Sequence, residues 1–247
     1  MQDRYTGDIG DFGKLGLLRI LQSRSLTIGV NWYLTPDEDH NDDGKHTKYL
    51  KDESYRKYDE ALWLELNQIV DAKQRKVSAL QNDRILQAVY YDEILDFTGK
   101  KKAERILIRE EWHKQALDRL SDLDIVFVDP DNGFVVPSVE GRPKENKYVK
   151  PDELLAYYHK GTTVIYYQHK ARKRDGFYVD QHRNLIKSPE FEGSSGLGLK
   201  FKTTSQRYYF SILQPQHREI IEKAVKEMIS SAWGDHANSG SPARVFR

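Results

Sequence analysis

The sequence predicts an α/β protein, built as a single three-layer domain in which helices cover both faces of a mainly parallel sheet. Three mostly apolar segments, 26–34, 123–128 and 162–169, predict strands buried on both faces. Segments with helical periodicity separate these strands, and such alternation favours parallel strands joined by helices. A chain of 247 residues is long enough to form one large domain of this kind.

The first half of the chain begins with a glycine-rich loop that leads into an apolar helix. The loop and the helix share four glycines: Gly7, Gly10, Gly13 and Gly16. The predicted strand 26–34 comes next and is followed by a polar, acidic loop. Residues 49–117 have a mostly helical pattern without proline, which predicts a helical insertion ahead of the strand 123–128.

The second half of the chain alternates helices and strands up to a polar tail. One helix begins at Pro151 and ends before Gly161, a typical capping glycine. The elements that follow are the strand 162–169, two further strands at 200–204 and 208–213, and a helix at 216–233. Residues 234–247 have the composition of a flexible end, so the predicted domain covers residues 1–233.

The composition excludes several kinds of chemistry. The chain has no cysteine, which excludes disulfides, thiolate metal sites and cysteine nucleophiles. The first residues are charged, and no apolar stretch approaches the roughly 18 residues of a membrane span, so we expect a cytoplasmic protein without membrane contact. The net charge is +1, but residues 142–174 carry 9 basic and 3 acidic side chains. An anion-binding surface is therefore expected in the second half of the chain.

Polar side chains follow three of the predicted strands, where ligands bind in open α/β sheets. Asp129, Asp131 and Asn132 leave a buried strand together. Two carboxylates and an amide can activate water and stabilise developing charge, so these are the predicted catalytic residues, with an ordinary turn as the alternative. The residues after the other two strands are Gln168, His169, Gln214, Gln216 and His217.

The glycine-rich loop is open to two interpretations. Backbone amides at Gly10 and Gly13, with the charge of Lys14, could contact a phosphate at the start of a helix. Alternatively, the loop is a compact N-terminal segment that Asp11 caps. Its glycine spacing matches neither a dinucleotide fingerprint nor a Walker A motif. Asp8 and Asp11 are additional acidic candidates for the site.

An acidic loop at 37–46 partly matches a calcium-binding EF loop. Leu50 stands where that motif requires a bidentate glutamate, so the motif is incomplete. We favour a solvated acidic loop beside the site over a Mg²⁺ or Ca²⁺ site, and we assign no metal ligand.

A basic stretch after the strand 162–169 suggests a nucleic-acid surface, with a solvated charged loop as the alternative. Its cations would contact phosphates, and neighbouring tyrosines and Phe177 could stack on bases. The predicted contacts are Lys170, Arg172, Lys173 and Arg174.

The order of elements resembles the bacterial large-subunit ribosomal RNA adenine-N6 methyltransferases over most of residues 5–230. The segment 5–14 matches their glycine-bearing N-terminal segment, and 129–132 stands where they carry Asp-Pro-Pro-Tyr. The resemblance implies a Rossmann-like fold, methyltransferase-like or uracil-glycosylase-like, with a pocket for an extruded base. The chain lacks their glycine turn for S-adenosylmethionine, having Tyr33 to Pro36 there, and Asn132 replaces the base-stacking aromatic.

These departures favour hydrolysis without a cofactor over methyl transfer. The protein also resembles in type the bacterial anti-phage DNA glycosylases that act on glucosylated hydroxymethylcytosine. We therefore expect a DNA glycosylase that binds double-stranded DNA with modified bases, with Tyr33, Gln168 and His169 holding the flipped base. The alternatives are an S-adenosylmethionine-dependent base methyltransferase, a metal-dependent nuclease using Asp8, Asp11, Asp129 and Asp131, and a binding module without catalysis. The sequence does not determine whether the protein is a monomer.

Overall fold

A computed structural model describes residues 1–38, 44–203 and 205–235 of the chain. Their strands are β1 (Ile28–Asn31), β2 (Val89–Tyr91), β3 (Ile125–Val128), β4 (Gly133–Phe134), β5 (Tyr148–Val149), β6 (Thr163–His169), β7 (Ser195–Lys202) and β8 (Gln206–Leu213). Six of them form one sheet in the order β2-β1-β3-β6-β8-β7, and β4 pairs with β5 apart from it. The pairings from β2 to β6 are parallel and the two that involve β8 are antiparallel, which confirms a mainly parallel sheet.

Helices pack on both faces of this sheet. They are α1 (Ile9–Gln22), α2 (Glu60–Asp71), α3 (Val77–Leu80), α4 (Lys102–Leu120), α5 (Pro151–His159), α6 (Asp175–Ile186) and α7 (Arg218–Ser230). Side chains of α1, α2 and α7 form one buried apolar cluster, which includes Phe127 of β3. Side chains of α4, α5 and α6 form a second cluster, which includes Val126 of the same strand. The strand is therefore buried on both faces, as its apolar sequence predicts. None of the described helices is long and apolar enough to cross a membrane.

The segment 49–117, predicted as a helical insertion, contributes a strand to the sheet as well as helices. It contains α2, α3 and most of α4, and between α3 and α4 lies β2, which pairs in parallel with β1. A strand of three residues is too short to show an alternating pattern, so the sequence analysis did not find it. The helix α6, which follows the basic stretch, was likewise not predicted.

The direction of β8 corrects one expectation about the site. Because β8 runs antiparallel to β6, the residues after β8 lie at the opposite end of the strands from the residues that follow β3. The backbone N–H of Gln214 donates to Oγ1 of Thr163, at the beginning of β6, over 3.0 Å. The prediction that Gln214, Gln216 and His217 lie with the other strand ends is therefore wrong. Strand direction depends on pairing partners that are distant in sequence, which local patterns do not reveal.

Two predicted features lie outside the described residues. These are the centre of the acidic loop, 39–43, and most of the predicted flexible tail, 236–247.

Candidate functional site

A cleft of about 490 Å³ opens at the carboxyl ends of the parallel strands, beside the first turn of α1. Eight of the residues singled out from the sequence meet there. Those that line the cleft are Asp8, Gly10, Asp11, Lys14, Asp129, Asp131, Asn132 and His169. The structure therefore brings together the glycine-rich loop and the residues after β3, which are more than a hundred positions apart in the sequence.

Lys14 connects α1 to the residues after β3 through two buried ion pairs. Its Nζ lies 2.9 Å from Oδ1 of Asp11 and 2.5 Å from Oδ2 of Asp129. Burial by itself would lower the pKa of Lys14, but the two carboxylates raise it above its ordinary value. Burial raises the pKa of Asp129, although Lys14 opposes this shift. Lys14 is thus a positive charge held by two carboxylates, and its predicted phosphate contact would compete with them.

Asp131 is held by groups from the N-terminal segment and from the loop before β5. The amino nitrogen of Met1 lies 2.5 Å from its Oδ1, and Nε2 of Gln2 donates to its Oδ2 over 2.9 Å. Nζ of Lys147 lies 3.6 Å from the same Oδ2. These donors fix the carboxylate at the side of the cleft.

Asn132 belongs to a tight loop whose backbone is hydrogen-bonded by the Gln168 side chain. Nε2 of Gln168 donates to the backbone oxygen of Asn132 over 3.0 Å, and its Oε1 accepts from the N–H of Phe134 over 2.9 Å. Gly133 has a φ of 101°, and a Cβ there would overlap the Gln168 amide. Gln168 is buried and does not line the cleft, so it positions Asn132 rather than contacting a base. Within the described residues, the Asn132 side chain lines the cleft without a hydrogen-bond partner.

Tyr33, which the sequence places in the base pocket, lies elsewhere. Its ring is 1% exposed, and its hydroxyl donates to Oε2 of Glu153 over 2.6 Å. Glu153 also accepts from Nε of Arg109 over 2.6 Å. This network ties the end of β1 to α4 and α5, so Tyr33 has a structural position and does not reach the cleft.

Met1 fills the crevice between the ends of β1 and β3. Its nitrogen donates to the backbone oxygens of Tyr33 and Asp129, both over 3.0 Å, and its carbonyl accepts from the N–H of Thr35 over 2.9 Å. The strand order reverses here, with β2 on one side of β1 and β3 on the other. Open α/β sheets bind cofactors in such crevices, so a cofactor in this place would have to displace Met1.

The first turn of α1 is capped by the protein itself. The Asp8 carboxylate accepts hydrogen bonds from the N–H groups of Gly10 and Asp11. Gly13 packs against Phe201, one turn further along the helix and away from the cleft. The phosphate contact predicted for these backbone amides would therefore compete with the Asp8 cap.

A basic segment, Lys170 to Arg174 with Phe177, adjoins the cleft through His169. Arg172, Lys173 and Arg174 are exposed, and Nζ of Lys173 lies 5.6 Å from the ring centre of Phe177. Lys170 instead lies 3.6 Å from the Asp175 carboxylate. Exposed cations beside an exposed aromatic ring suit a nucleic-acid strand that continues into the cleft.

The cleft contains further residues that the sequence analysis missed. They include Tyr5, Lys144, Lys147, Tyr148 and Arg207, whereas His46, at the end of the acidic loop expected beside the site, also lines the cleft. Arg207 left a signal in the sequence, since it is a cation next to the apolar run of β8. The others lie in short 3-10 turns or in the two-residue strand β5, which are too short to show a periodic pattern.

The described residues contain no group of three or more histidine or acidic side chains placed to hold a metal ion. The ammonium of Lys14 separates Asp11 from Asp129. This arrangement does not favour the nuclease alternative, which requires those carboxylates to share a cation.

Searches against family models, curated proteins and solved structures found no match, so the geometry of the cleft is the basis for inferring function.

Proposed function

We propose that this protein is a DNA glycosylase that hydrolyses the N-glycosidic bond of an extruded base and leaves an abasic site. The observation that carries this proposal is that Asp129, Asp131 and Asn132 line one cleft of about 490 Å³. That volume falls within the roughly 300–1,000 Å³ of small-molecule pockets. An enzyme that acts on a base in a duplex has to flip it into such a pocket. We place the site on a Rossmann-like fold that needs no cofactor.

The proposed reaction uses one carboxylate and one amide. The bond between C1′ and the base nitrogen breaks, and its electron pair leaves with the base. Asp131 stabilises the oxocarbenium character of the sugar, and Asn132 orients a water molecule. The water oxygen bonds to C1′, its proton passes to Asp131, and the departing base takes that proton up. The Asp129–Lys14 pair positions the loop against α1.

The proposed partner is double-stranded DNA with modified bases. Arg172, Lys173 and Arg174 are exposed and adjoin the cleft through His169, so they can contact the phosphates of a nucleic-acid backbone. The resemblance to glycosylases acting on glucosylated hydroxymethylcytosine suggests a modified cytosine and a role in defence against phage.

The test is release of free base from modified and unmodified DNA, measured by mass spectrometry with and without EDTA. We expect Asp131→Asn to reduce release by about 100-fold or more, because it removes the charge that stabilises the transition state. Asp180→Asn makes the same chemical change at an exposed position of α6 and should retain activity. Full activity of Asp131→Asn, or no base release from any DNA, contradicts the proposal.

Methyl transfer is the second candidate. Asp129 and Pro130 follow β3, the strand that pairs with β1, and the resemblance implies a methyltransferase motif at these positions. Met1 fills the neighbouring crevice, so we expect calorimetry with S-adenosylmethionine to detect no binding. Binding that Asp129→Asn weakens would favour methyl transfer over hydrolysis.

A further inference from the structure

Arg207 is a buried arginine of the cleft whose guanidinium is only partly hydrogen-bonded. The residue is 3% exposed and lines the cleft. Among the residues that the structure describes, its Nη2 donates to Oγ of Ser205, whereas Nε and Nη1 have no hydrogen-bond partner. A guanidinium has five N–H donors, and leaving them unpaired in a buried place costs stability. Such a group is expected where a ligand completes its hydrogen bonds.

Gly10 provides the space for this guanidinium. Nη1 of Arg207 lies so close to Gly10 that a Cβ at this position would overlap it. The neighbouring Asp8 carboxylate already caps the helix, so an anion here depends on the arginine side chain rather than on the free N–H groups of α1.

Arg207 also lies between the cleft and the basic segment. In the sheet it pairs with His169, and the N–H of Lys170 donates to the backbone oxygen of Gln206 over 3.0 Å. Lys144 and Lys147 line the same cleft. A nucleic-acid strand bound along the basic segment would therefore pass Arg207 as it enters the cleft.

We infer that Arg207 binds a phosphate ester of the substrate, with two guanidinium N–H groups donating to two phosphate oxygens. Arginine suits this contact because its planar fork matches the spacing of phosphate oxygens. The inference rests on the proposed function for its substrate class, nucleic acid, and it assigns to Arg207 the placement of the nucleotide whose base is removed.

The inference is tested by binding measurements on four full-length proteins: wild type, Arg207→Gln, Arg207→Lys and Arg119→Gln. One arm uses a fluorescein-labelled double-stranded DNA oligonucleotide and the other a deoxynucleoside 5′-monophosphate. We expect Arg207→Gln to weaken binding by about tenfold or more, and Arg207→Lys to recover only part of it, because lysine keeps the charge without the fork. Arg119 is an exposed arginine at the end of α4, so Arg119→Gln should bind as the wild type does.

The two arms separate the sources of the phosphate. A loss for the oligonucleotide indicates a backbone phosphodiester, a loss for the monophosphate indicates a free nucleotide, and either supports the inference. Unchanged affinity in both arms overturns it. The melting temperature distinguishes a structural role: we expect Arg207→Gln not to lower it, whereas a lower melting temperature with unchanged affinity contradicts the inference.

Gly10→Ala is a second, independent variant. Its methyl group would displace the guanidinium and should reproduce the loss of affinity while Arg207 is still present. Base release is measured separately. If no base is released but phosphate affinity depends on Arg207, the glycosylase proposal fails and the phosphate site stands.

Discussion

Asn132 and Gln168 show how two neighbouring side-chain amides differ in their contribution, Asn132 in the loop after β3 and Gln168 in β6. Gln168 is 5% exposed, and its side chain makes three hydrogen bonds to backbone groups of Asn132, Phe134 and His169. Asn132 is only partly buried, and within the described part of the chain its amide has no hydrogen-bond partner. Gln168 therefore contributes to the stability of the loop, whereas the Asn132 amide is available for a ligand or a water molecule.

Asn132→Ala should separate activity from stability. We expect base release to fall by about 100-fold, as for loss of one preorganised hydrogen-bonding group, with the melting temperature unchanged. Gln168→Ala is the matched comparison and should lower both, because it leaves buried backbone groups unpaired. Activity and thermal unfolding measured on both variants check this. Equal activity of Asn132→Ala and the wild type would exclude Asn132 from the reaction.

At the level of elements, α6 is attached to the sheet through a buried histidine. His182 is 2% exposed, stacks on Phe210 of β8 with ring centres 4.7 Å apart, and its Nδ1 lies 3.0 Å from the Tyr166 hydroxyl of β6. Burial lowers the pKa of His182 from 6.5 to about 3. The imidazole is therefore neutral in the folded protein at pH values where the unfolded chain is already protonated.

This difference predicts that the protein loses stability as the pH falls below about 6.5. Below that value the unfolded chain takes up a proton that folded His182 does not accept until about pH 3. One such proton lowers the free energy of unfolding by about 1.4 kcal/mol per pH unit. We measure the free energy of unfolding by denaturant between about pH 6 and 4.5. Its slope against pH should be smaller by one proton in His182→Gln than in the wild type.

His159→Gln is the control for this experiment, because His159 is exposed on α5. It should keep the wild-type slope. Burial also lowers the pKa of His113, so part of the pH dependence should persist in His182→Gln. Identical slopes in His182→Gln and the wild type would show that His182 does not remain neutral in the folded state.

At the scale of the whole molecule, the small net charge of +1 conceals a separation of charge. Residues 1–60 carry 9 basic and 12 acidic side chains, and the segment 142–174 carries 9 basic and 3 acidic ones. Within the cleft, carboxylates from the first segment and from β3 meet lysines from the second. The exposed cations of the basic segment adjoin this cleft, so the electrostatic attraction for a polyanion is directed to one edge of the sheet.

Neutralising the basic segment should weaken DNA binding and reduce its dependence on salt. For the triple variant Arg172→Gln, Lys173→Gln, Arg174→Gln we expect the slope of log affinity against log salt to fall by about 2 to 3, since each lost phosphate contact removes about 0.7 to 0.9. The control makes the same charge change on α7. It replaces three exposed residues by glutamine: Arg218, Lys223 and Lys226. Fluorescence anisotropy at several salt concentrations checks this, and equal slopes for the two triple variants would contradict a specific surface.

Length did not decide which elements could be predicted, since the 12-residue α6 was missed. Local sequence patterns were sufficient where a strand is uniformly apolar or a helix ends at a capping glycine. The strand β3 and the helix α5 with its following Gly161 are of this kind, because burial on both faces and glycine capping leave marks within a few residues. The strand β2 was missed because three residues carry no pattern. The segment after β8 was assigned to the wrong edge because strand direction depends on its partner β6.

The sequence by itself determined that Asp129, Asp131 and Asn132 leave a buried strand together, because they are neighbours in the chain. It equally determined the position of the basic segment, whose charges are adjacent. Only the tertiary structure decided that Lys14 separates Asp11 from Asp129 and that Met1 fills the crevice beside β1. It also decided that Arg207 lies against Gly10, with two guanidinium nitrogens that have no hydrogen-bond partner among the described residues. These contacts join residues up to about two hundred positions apart, and they depend on strand order, helix packing and desolvation, none of which a local pattern records.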